Sequence, residues 1–141
     1  MKYLVDTTVW SLSLRRKSNT SLNAGEQKKS ALLSEAIVRG QVAMLGPIRQ
    51  ELLSGIREHA QYERLLRRLR DFRDEPLKTE DHEEASRLYN VCRSQGVECG
   101  ATDILICAVA MQRQWEILSN DKGLERCMEI ARSDQQRMRL R

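Results

Sequence analysis

Short apolar runs alternate with longer segments of helical periodicity along the sequence, and this alternation constrains the fold most. The longer segments repeat their apolar residues every three or four positions, which predicts amphipathic helices between short strands. Strands that alternate with helices are typical of an α/β domain with a mostly parallel central sheet and helices on both faces. The predicted strands are KYLVD (2–6), VAML (42–45), PLKT (76–79) and EILS (116–119).

Six helices are predicted between and around these strands. Pro47 suits the first position of one helix, and Thr79 suits the N-cap of another. The segment 102–114 is largely apolar all round, which predicts a buried central helix. The polar segment 15–27 is predicted to be a surface loop. The helices are predicted over 8–16, 25–40, 46–57, 59–72, 79–96 and 102–114.

The length and composition fit one globular domain. The chain has 141 residues, of which 40% are hydrophobic and 31% charged, and this balance excludes a disordered chain. We therefore expect a single domain over residues 1–141. No apolar run approaches the roughly 20 residues that a membrane span needs, and the segment MKYLVDTT lacks the apolar stretch of a signal peptide. The expected location is the cytoplasm.

The cysteines show no spacing typical of a metal site. No two of them form a C-x-x-C pair, and both histidines lie far from them in the sequence, so zinc is not expected. In a cytoplasmic protein we expect reduced thiols, mostly buried. The four cysteines are Cys92, Cys99, Cys107 and Cys127.

The formal net charge of +4 favours polyanionic partners, above all nucleic acid.

Four acidic residues stand at the edges of apolar elements. Asp6 closes the first strand and Asp121 follows the last, so both are expected at the carboxyl edge of the sheet, where α/β proteins bind ligands. Asp103 begins the most apolar helix. A helical wheel places Glu51 at the inner edge of its helix, where Gly55 would let another backbone approach closely. The apolar stripe beside Glu51 consists of Ile48, Leu52 and Ile56.

Each of these acids also has a purely structural explanation. Asp103 can stabilise a helix N-terminus, and Asp121 can serve a turn. Asp6 can cap the helix that follows it, and Glu51 can pair with a surface arginine. Four acids near one sheet edge would nevertheless raise one another's pKa unless a cation lies among them. Oxygen ligands favour a hard divalent ion, Mg²⁺ or Mn²⁺.

The motifs that contain these acids resemble a known family. YLVDTTVW (3–10), QELLSG (50–55), GATDILICAVA (100–110) and LSNDKGLE (118–125) occur in the order and approximate spacing of a PIN domain. More narrowly, they look like the VapC toxins of bacterial type II toxin–antitoxin pairs. The resemblance covers about residues 1–127. It implies the PIN-like three-layer α/β fold.

The resemblance implies a metal-dependent endoribonuclease that acts as a toxin. In this family Mg²⁺, or Mn²⁺ in its place, activates a water molecule that hydrolyses an RNA phosphodiester. The hydroxyls of Thr7 and Ser119 are expected to orient the carboxylates without touching the metal. Asp6 and Asp103 are expected to be the principal ligands. The family's catalytic and metal-binding acids carry over to Asp6, Glu51, Asp103 and Asp121.

The resemblance also implies partners. RNA as substrate, a cognate antitoxin protein that reaches into the acidic groove, and a homodimer are expected, without contact with a membrane. Thr8 stands where the family often has Asn or Ser, which is a mild departure. Gly123 and Leu124 stand where the family often has a second acid and an aromatic residue, so the site is expected to use three or four acids.

Other functions fit less of the sequence. The main alternative is a PIN-like module that binds RNA or protein without cutting, and the four acids argue against it. A haloacid-dehalogenase-like phosphatase needs a second acid two residues after the first, where this chain has Thr8. A receiver domain needs an acid pair at the end of the first strand, where this chain has only Asp6.

Two arginine-rich segments leave alternatives open. The arginines of segment 57–73 either lie on a solvated face with acidic partners or contact phosphates. The C-terminal tail is predicted to contact phosphates or, because its arginines alternate with Met138 and Leu140, to form an edge strand. The proposed acidic partners are Glu58, Glu63 and Asp71. The arginines are Arg57, Arg64, Arg67, Arg68, Arg70 and Arg73 in the helix and Arg132, Arg137, Arg139 and Arg141 in the tail.

Overall fold

A computed structural model describes residues 1–14 and 21–140 of the chain, which form an α/β fold. The strands lie in one three-stranded sheet in the order β2-β1-β3. β1 and β2 pair in parallel, with Tyr3 opposite Val42 and Leu4 opposite Ala43. The predicted α/β class with a mostly parallel sheet is therefore confirmed. In chain order the elements are β1 (Tyr3–Val5), α1 (Thr7–Leu14), α2 (Ala24–Val38), β2 (Val42–Ala43), α3 (Gly46–Ser54), α4 (His59–Leu69), α5 (Thr79–Ser94), α6 (Ala101–Arg113), β3 (Glu116–Leu118) and α7 (Lys122–Arg139).

The chain divides into two compact units. The amino-terminal unit comprises Lys2–Pro76 and Leu118–Asn120, and the carboxy-terminal unit comprises Leu77–Ile117, Asp121–Arg141 and Met1. Each unit has its own buried apolar residues, and each is described separately below. The single domain expected over residues 1–141 stays a prediction.

In the amino-terminal unit, helices pack around β1 and β2. α1 contacts α2 and α3, and α3 contacts α4. Trp10 of α1 is buried and meets the ring of Phe72 edge to face, with ring centroids 5.1 Å apart. Asn23 caps α2 by accepting a hydrogen bond from the Glu26 N–H at 2.8 Å, inside the predicted loop 15–27. Residues 15–20 of that loop lie outside the described residues.

Arg49 fixes α3 to the end of α4. Its guanidinium donates to the Leu69 carbonyl at 2.9 Å, donates to the Phe72 carbonyl, and pairs with Asp74 at 2.9 Å. These contacts satisfy carbonyls that the end of a helix leaves without an intrahelical partner. α3 and α4 are therefore held together by directed hydrogen bonds as well as by apolar contact.

The strand predicted over 76–79 is wrong. An isolated parallel bridge joins Met44 to Asp74, and α5 already begins at Thr79. Pro76 has no N–H to donate to a strand ladder, so it favours the end of pairing at this point. Lys78, rather than the predicted Thr79, is the N-cap of α5, and its N–H donates to Asp81 at 2.8 Å.

In the carboxy-terminal unit, α6 is the buried helix that its composition predicts. It contacts both α5 and α7. The edge strand considered for the tail is wrong, because α7 continues as a helix to Arg139. Its buried residues recur at helical spacing, and this periodicity outweighs the short alternation at 137–140. The buried residues of α6 are Ile104–Ala110, and those of α7 include Leu124, Cys127, Met128 and Ala131.

The expectation of four reduced thiols is wrong for one pair. Cys99 and Cys127 form a disulfide that spans 28 residues of sequence, with their Cα atoms 6.6 Å apart. Cys92 and Cys107 are free and buried. Sequence spacing could not reveal the pair, because only the packing of α7 beside α6 brings residues so far apart in the chain together.

None of the helices formed by the described residues is both long enough and apolar enough to cross a membrane.

Candidate functional site

Asp6 lies at the junction between β1 and α1 and is buried, with 3% of its surface exposed. Its Oδ1 accepts hydrogen bonds from the Thr8 N–H at 3.0 Å, the Thr8 hydroxyl at 2.5 Å and the Val9 N–H at 3.2 Å. Two of these donors are first-turn amides of α1, which have no partner within the helix. Asp6 therefore caps α1, as its structural explanation predicted, and this uses one of its two oxygens.

Ser119 holds the other oxygen of Asp6. Its hydroxyl donates to Asp6 Oδ2 at 2.6 Å, and both side chains are buried. The Asp6 N–H donates to the carbonyl of Leu118 at 3.1 Å, so the backbones of the two segments are also joined. Both oxygens of Asp6 are thus oriented by hydroxyl donors, in addition to the amides of α1.

Thr8 is the contact residue that sequence reasoning missed. Its hydroxyl donates to Asp6 and accepts a hydrogen bond from the Asn120 N–H at 2.8 Å. The sequence did contain a signal for this contact. The side chain of an Asp commonly accepts a hydrogen bond from the backbone N–H two residues later, and a short polar side chain at that position then lies close to the carboxylate. The role predicted for the Thr7 hydroxyl stays a prediction.

Asn120 is itself fixed to α2. Its Oδ1 accepts from Lys29 Nζ at 3.1 Å, and its side-chain amide donates to Glu26 Oε2 at 3.3 Å. The segment that carries Ser119 is therefore held by side chains of α2 as well as by Thr8. This support limits how far the Ser119 hydroxyl can move from Asp6.

In the part of the chain that the structure describes, Asp6 differs from the other buried acids in having no basic partner. Among the described residues, the buried acids are Asp6, Asp81 and Asp134. Asp81 pairs with Arg113 at 3.0 Å, and Asp134 pairs with Arg87 at 2.7 Å. No lysine, arginine or histidine in the described part of the chain forms an ion pair with Asp6. Buried charges are normally paired or bound to metal, so this carboxylate is the strongest candidate for a cation ligand.

The Arg113–Asp81 pair shows what a basic partner does to a buried acid. Burial by itself raises the pKa of Asp81. The hydrogen bonds from Arg113 and from the Lys78 N–H, together with the charge of Arg113 and a smaller contribution from His82, outweigh burial, so the pKa of Asp81 lies below its usual value. Asp81 is therefore a structural acid that stays ionised without a metal ion.

Glu51 is exposed on α3, so its predicted place at the inner edge of the helix is wrong. The buried side of α3 includes Leu53 and not Ile56, which lies beyond the end of the helix. A Cβ added to Gly55 would meet nothing within 4 Å, so the predicted close backbone approach is wrong too. In the described structure Glu51 makes no hydrogen bond to Asp6.

Asp103 and Asp121 both stand at helix N-termini of the carboxy-terminal unit. Asp103 lies in the first turn of α6, half-buried, and its Oδ2 is 3.7 Å from the position of a Cβ built on Gly100. Asp121 is the N-cap of α7, where its Oδ1 accepts from the Gly123 N–H at 2.8 Å. The positive end of the helix dipole stabilises a carboxylate at each place. Asp103 therefore has the structural role predicted for it, whereas Asp121 caps a helix instead of serving the predicted turn.

The disulfide ties together the segments that carry these two acids. Cys99 stands four residues before Asp103, and Cys127 lies in α7, whose N-cap is Asp121. The bond therefore joins the start of α6 covalently to α7. It restrains these two helix N-termini relative to each other.

Comparisons with known proteins agree with this architecture. No curated protein gives a significant match to the sequence. The crystal structure of FitAcB from Neisseria gonorrhoeae is similar, with a TM-score of 0.69 and 21% identity over 92% of each chain, which supports the fold. The family model of the PIN domain matches residues 3–129. Because this match spans nearly the whole chain, the chain belongs to the PIN domain family.

Proposed function

We propose that the chain is a Mg²⁺-dependent endoribonuclease, with Mn²⁺ as an alternative ion, and that it acts as the toxin of a type II toxin–antitoxin pair. PIN domains are generally nucleases, and they typically use divalent metal ions. RNA as substrate and the toxin role rest on the resemblance of four motifs to VapC toxins. The alternative is a PIN-like module that binds RNA or protein without cutting.

The observation that carries this proposal is the buried Asp6 carboxylate. It is 3% exposed, and in the described part of the chain only neutral hydroxyl and amide donors contact it. A divalent ion would supply the missing positive charge. Carboxylate oxygens are the ligands that Mg²⁺ and Mn²⁺ prefer, so the donor chemistry fits the ion.

We propose the same four acids as catalytic residues and metal ligands: Asp6, Glu51, Asp103 and Asp121. Asp121 is included because it stands in the motif LSNDKGLE (118–125), which resembles the family. Glu51 is exposed, which favours contact with the ion through water. Asp103 is proposed as a principal ligand beside Asp6.

The side chains around Asp6 would hold it ready for an ion. Ser119 and Thr8 fix the directions of its two oxygens, and Thr7 is proposed to orient a neighbouring carboxylate. When bound, a divalent ion supplies a water of lowered pKa and stabilises charge on the phosphate and on the leaving oxygen. We expect hydrolysis to leave 5′-phosphate and 3′-hydroxyl ends.

The proposed partners follow from the same resemblance. They are an RNA substrate, a cognate antitoxin that enters the acidic site, and a second copy of the chain in a homodimer. The cytoplasm is the proposed location, because the proposed RNA substrate is found there.

The test is cleavage of cellular RNA by the purified protein with Mg²⁺, with Mn²⁺ and with EDTA. Copurified antitoxin is removed by purification in denaturant and refolding. Asp103→Ala and Asp6→Asn should abolish metal-dependent cuts, whereas Glu129→Ala, an exposed acid of α7, should leave them unchanged. Cuts that persist in EDTA or in both site variants would contradict the proposal.

A second readout does not depend on activity. Mg²⁺ should raise the melting temperature of the wild-type protein, because a ligand that binds only the folded state stabilises it. Asp6→Asn should remove this rise. RNA binding without cuts, together with no thermal response to Mg²⁺, would instead favour the non-catalytic module.

A further inference from the structure

We infer that the exposed arginines around α4 form a surface that binds the phosphate backbone of RNA. This inference rests on the proposed function, because it takes RNA as the substrate. We call this set the α4 arginine surface. It consists of Arg57, Arg64, Arg67, Arg68, Arg70 and Arg73, all of which are exposed.

α4 has one buried apolar side, and three members of the α4 arginine surface lie on its exposed side. Leu65 and Leu69 are its buried residues. Arg64, Arg67 and Arg68 are spaced i, i+3 and i+4, so they are neighbours on the surface of the helix. The apolar side holds the helix in place while three guanidiniums project together from it.

The acidic partners considered for these arginines do not engage them. Among the described residues, no member of the α4 arginine surface forms a salt bridge, although Glu58, Glu63 and Asp71 lie in the same segment. Some arginines elsewhere in the described chain do form salt bridges, as in Arg39–Glu35 at 2.8 Å. Like charges spaced i and i+4 destabilise a helix slightly. A polyanion would relieve this repulsion.

The α4 arginine surface belongs to the same unit as Asp6 and Glu51. Arg49 bonds α3 to the carbonyls of Leu69 and Phe72 at the end of α4. Glu51 lies on α3, two residues after Arg49. The basic surface is thus attached by directed hydrogen bonds to the helix that carries one of the proposed metal ligands, which suits a surface that holds substrate.

The chemistry of the surface favours phosphates over bases. The guanidinium fork of arginine matches phosphate geometry, and phosphate contacts carry no sequence information. No exposed aromatic residue lies within segment 57–73 to stack on bases, since Tyr62 and Phe72 are half-buried. We therefore expect the surface to set affinity and salt dependence, and not the sequence that is cut.

The experiment measures binding of a labelled single-stranded RNA by fluorescence anisotropy in EDTA over a series of salt concentrations. EDTA prevents metal-dependent cleavage, so binding is measured apart from activity. The variant Arg64→Gln/Arg67→Gln/Arg68→Gln should weaken binding about 10-fold or more at low salt. For this variant, the slope of the logarithm of the RNA association constant against the logarithm of salt concentration should be smaller in magnitude by about 2. Each phosphate contact to a single strand contributes about 0.7 to this slope.

The matched control removes three exposed arginines of other helices by Arg39→Gln/Arg93→Gln/Arg126→Gln. This variant loses the same charge, and none of its arginines belongs to α4 or to the arginine-rich tail. It should keep most of the wild-type salt slope. Equal losses in the two triple variants would show a general charge effect and overturn the inference, as would an unchanged slope in the α4 variant.

Two further variants guard against misfolding. Arg64→Lys/Arg67→Lys/Arg68→Lys keeps the charge and should keep most of the slope, and Arg64→Gln alone should lower the slope by about 0.7.

The outcomes distinguish this inference from the proposed function. If α4 variants lose RNA binding while the wild type cuts no RNA, the α4 arginine surface is supported and the nuclease proposal fails. If the wild type cuts RNA and the α4 variants bind it normally, the nuclease stands and the surface fails. Wild type that binds an acidic peptide but no RNA would overturn the inference.

Discussion

The Ser119 hydroxyl donates a 2.6 Å hydrogen bond to Oδ2 of Asp6, and both residues are buried. The bond connects the residue after β3 with the residue after β1. Thr8 holds the second oxygen, so the orientation of the carboxylate is determined from both sides. This relationship fixes the directions of both oxygens of Asp6.

Ser119→Ala should lower metal-dependent cleavage about 10–100-fold, because removing a residue that orients a ligand typically has this effect. The loss should appear mainly as a higher Mg²⁺ concentration for half-maximal rate. Ser86→Ala, which removes a hydroxyl that donates to the Glu83 carbonyl within α5, is the control and should leave the rate unchanged. A Ser119→Ala variant with wild-type metal dependence would contradict the orienting role.

Asp6→Asn and Asp81→Asn should have opposite effects on stability in EDTA. Asn keeps the capping contact of Asp6 and removes a buried charge without a basic partner, so the melting temperature should stay the same or rise. Asp81→Asn leaves Arg113 without its partner and should lower the free energy of unfolding by about 3 kcal/mol. Thermal and denaturant unfolding of both variants measure this. Strong destabilisation by Asp6→Asn would argue for an unrecognised partner of that carboxylate.

The Arg113–Asp81 pair should make stability depend on acid pH. Since the pKa of Asp81 is lower in the folded protein, its ionisation adds stability above its unfolded pKa of about 3.9. That contribution is lost as the pH falls through the folded pKa. The difference in free energy of unfolding between wild type and Asp81→Asn should be largest at neutral pH and shrink below about pH 4. A difference independent of pH would show that lost packing, not charge, causes the destabilisation.

Reduction of the Cys99–Cys127 disulfide should lower the free energy of unfolding by about 3 kcal/mol, because the bond closes a long loop in the unfolded chain. Denaturant unfolding with and without dithiothreitol measures the change. Cys99→Ser/Cys127→Ser should show no response to the reductant.

Thiol labelling gives an independent check of the same pair. Unreduced protein in denaturant should label two thiols, Cys92 and Cys107, and reduced protein four. Four labelled thiols without reductant would contradict the disulfide. In the native protein labelling at pH 8 should be slow, because burial raises the pKa of the Cys107 thiol to about 12 and also raises that of Cys92.

Much of the local structure could be predicted because it depends on near neighbours. The apolar run before Asp6 forms β1, and the apolar segment after Gly100 forms the buried helix α6. The helix at 122–139 was missed, because its short alternation of arginine with Met138 and Leu140 concealed a longer helical period. Glu51 was misplaced because a helical wheel cannot show which side of α3 the neighbouring helices cover.

The sequence by itself determined the α/β class, the position of Asp6 at a strand end, and the motifs that place the chain among PIN domains, because each depends on local patterns of apolar and acidic residues. Only the tertiary structure decided that Ser119 and Thr8 hold Asp6, that Arg113 and Arg87 neutralise the other buried acids, and that Cys99 pairs with Cys127. Most of these contacts join residues distant in the chain, and their partners are chosen by how whole helices and strands pack, which no local pattern records.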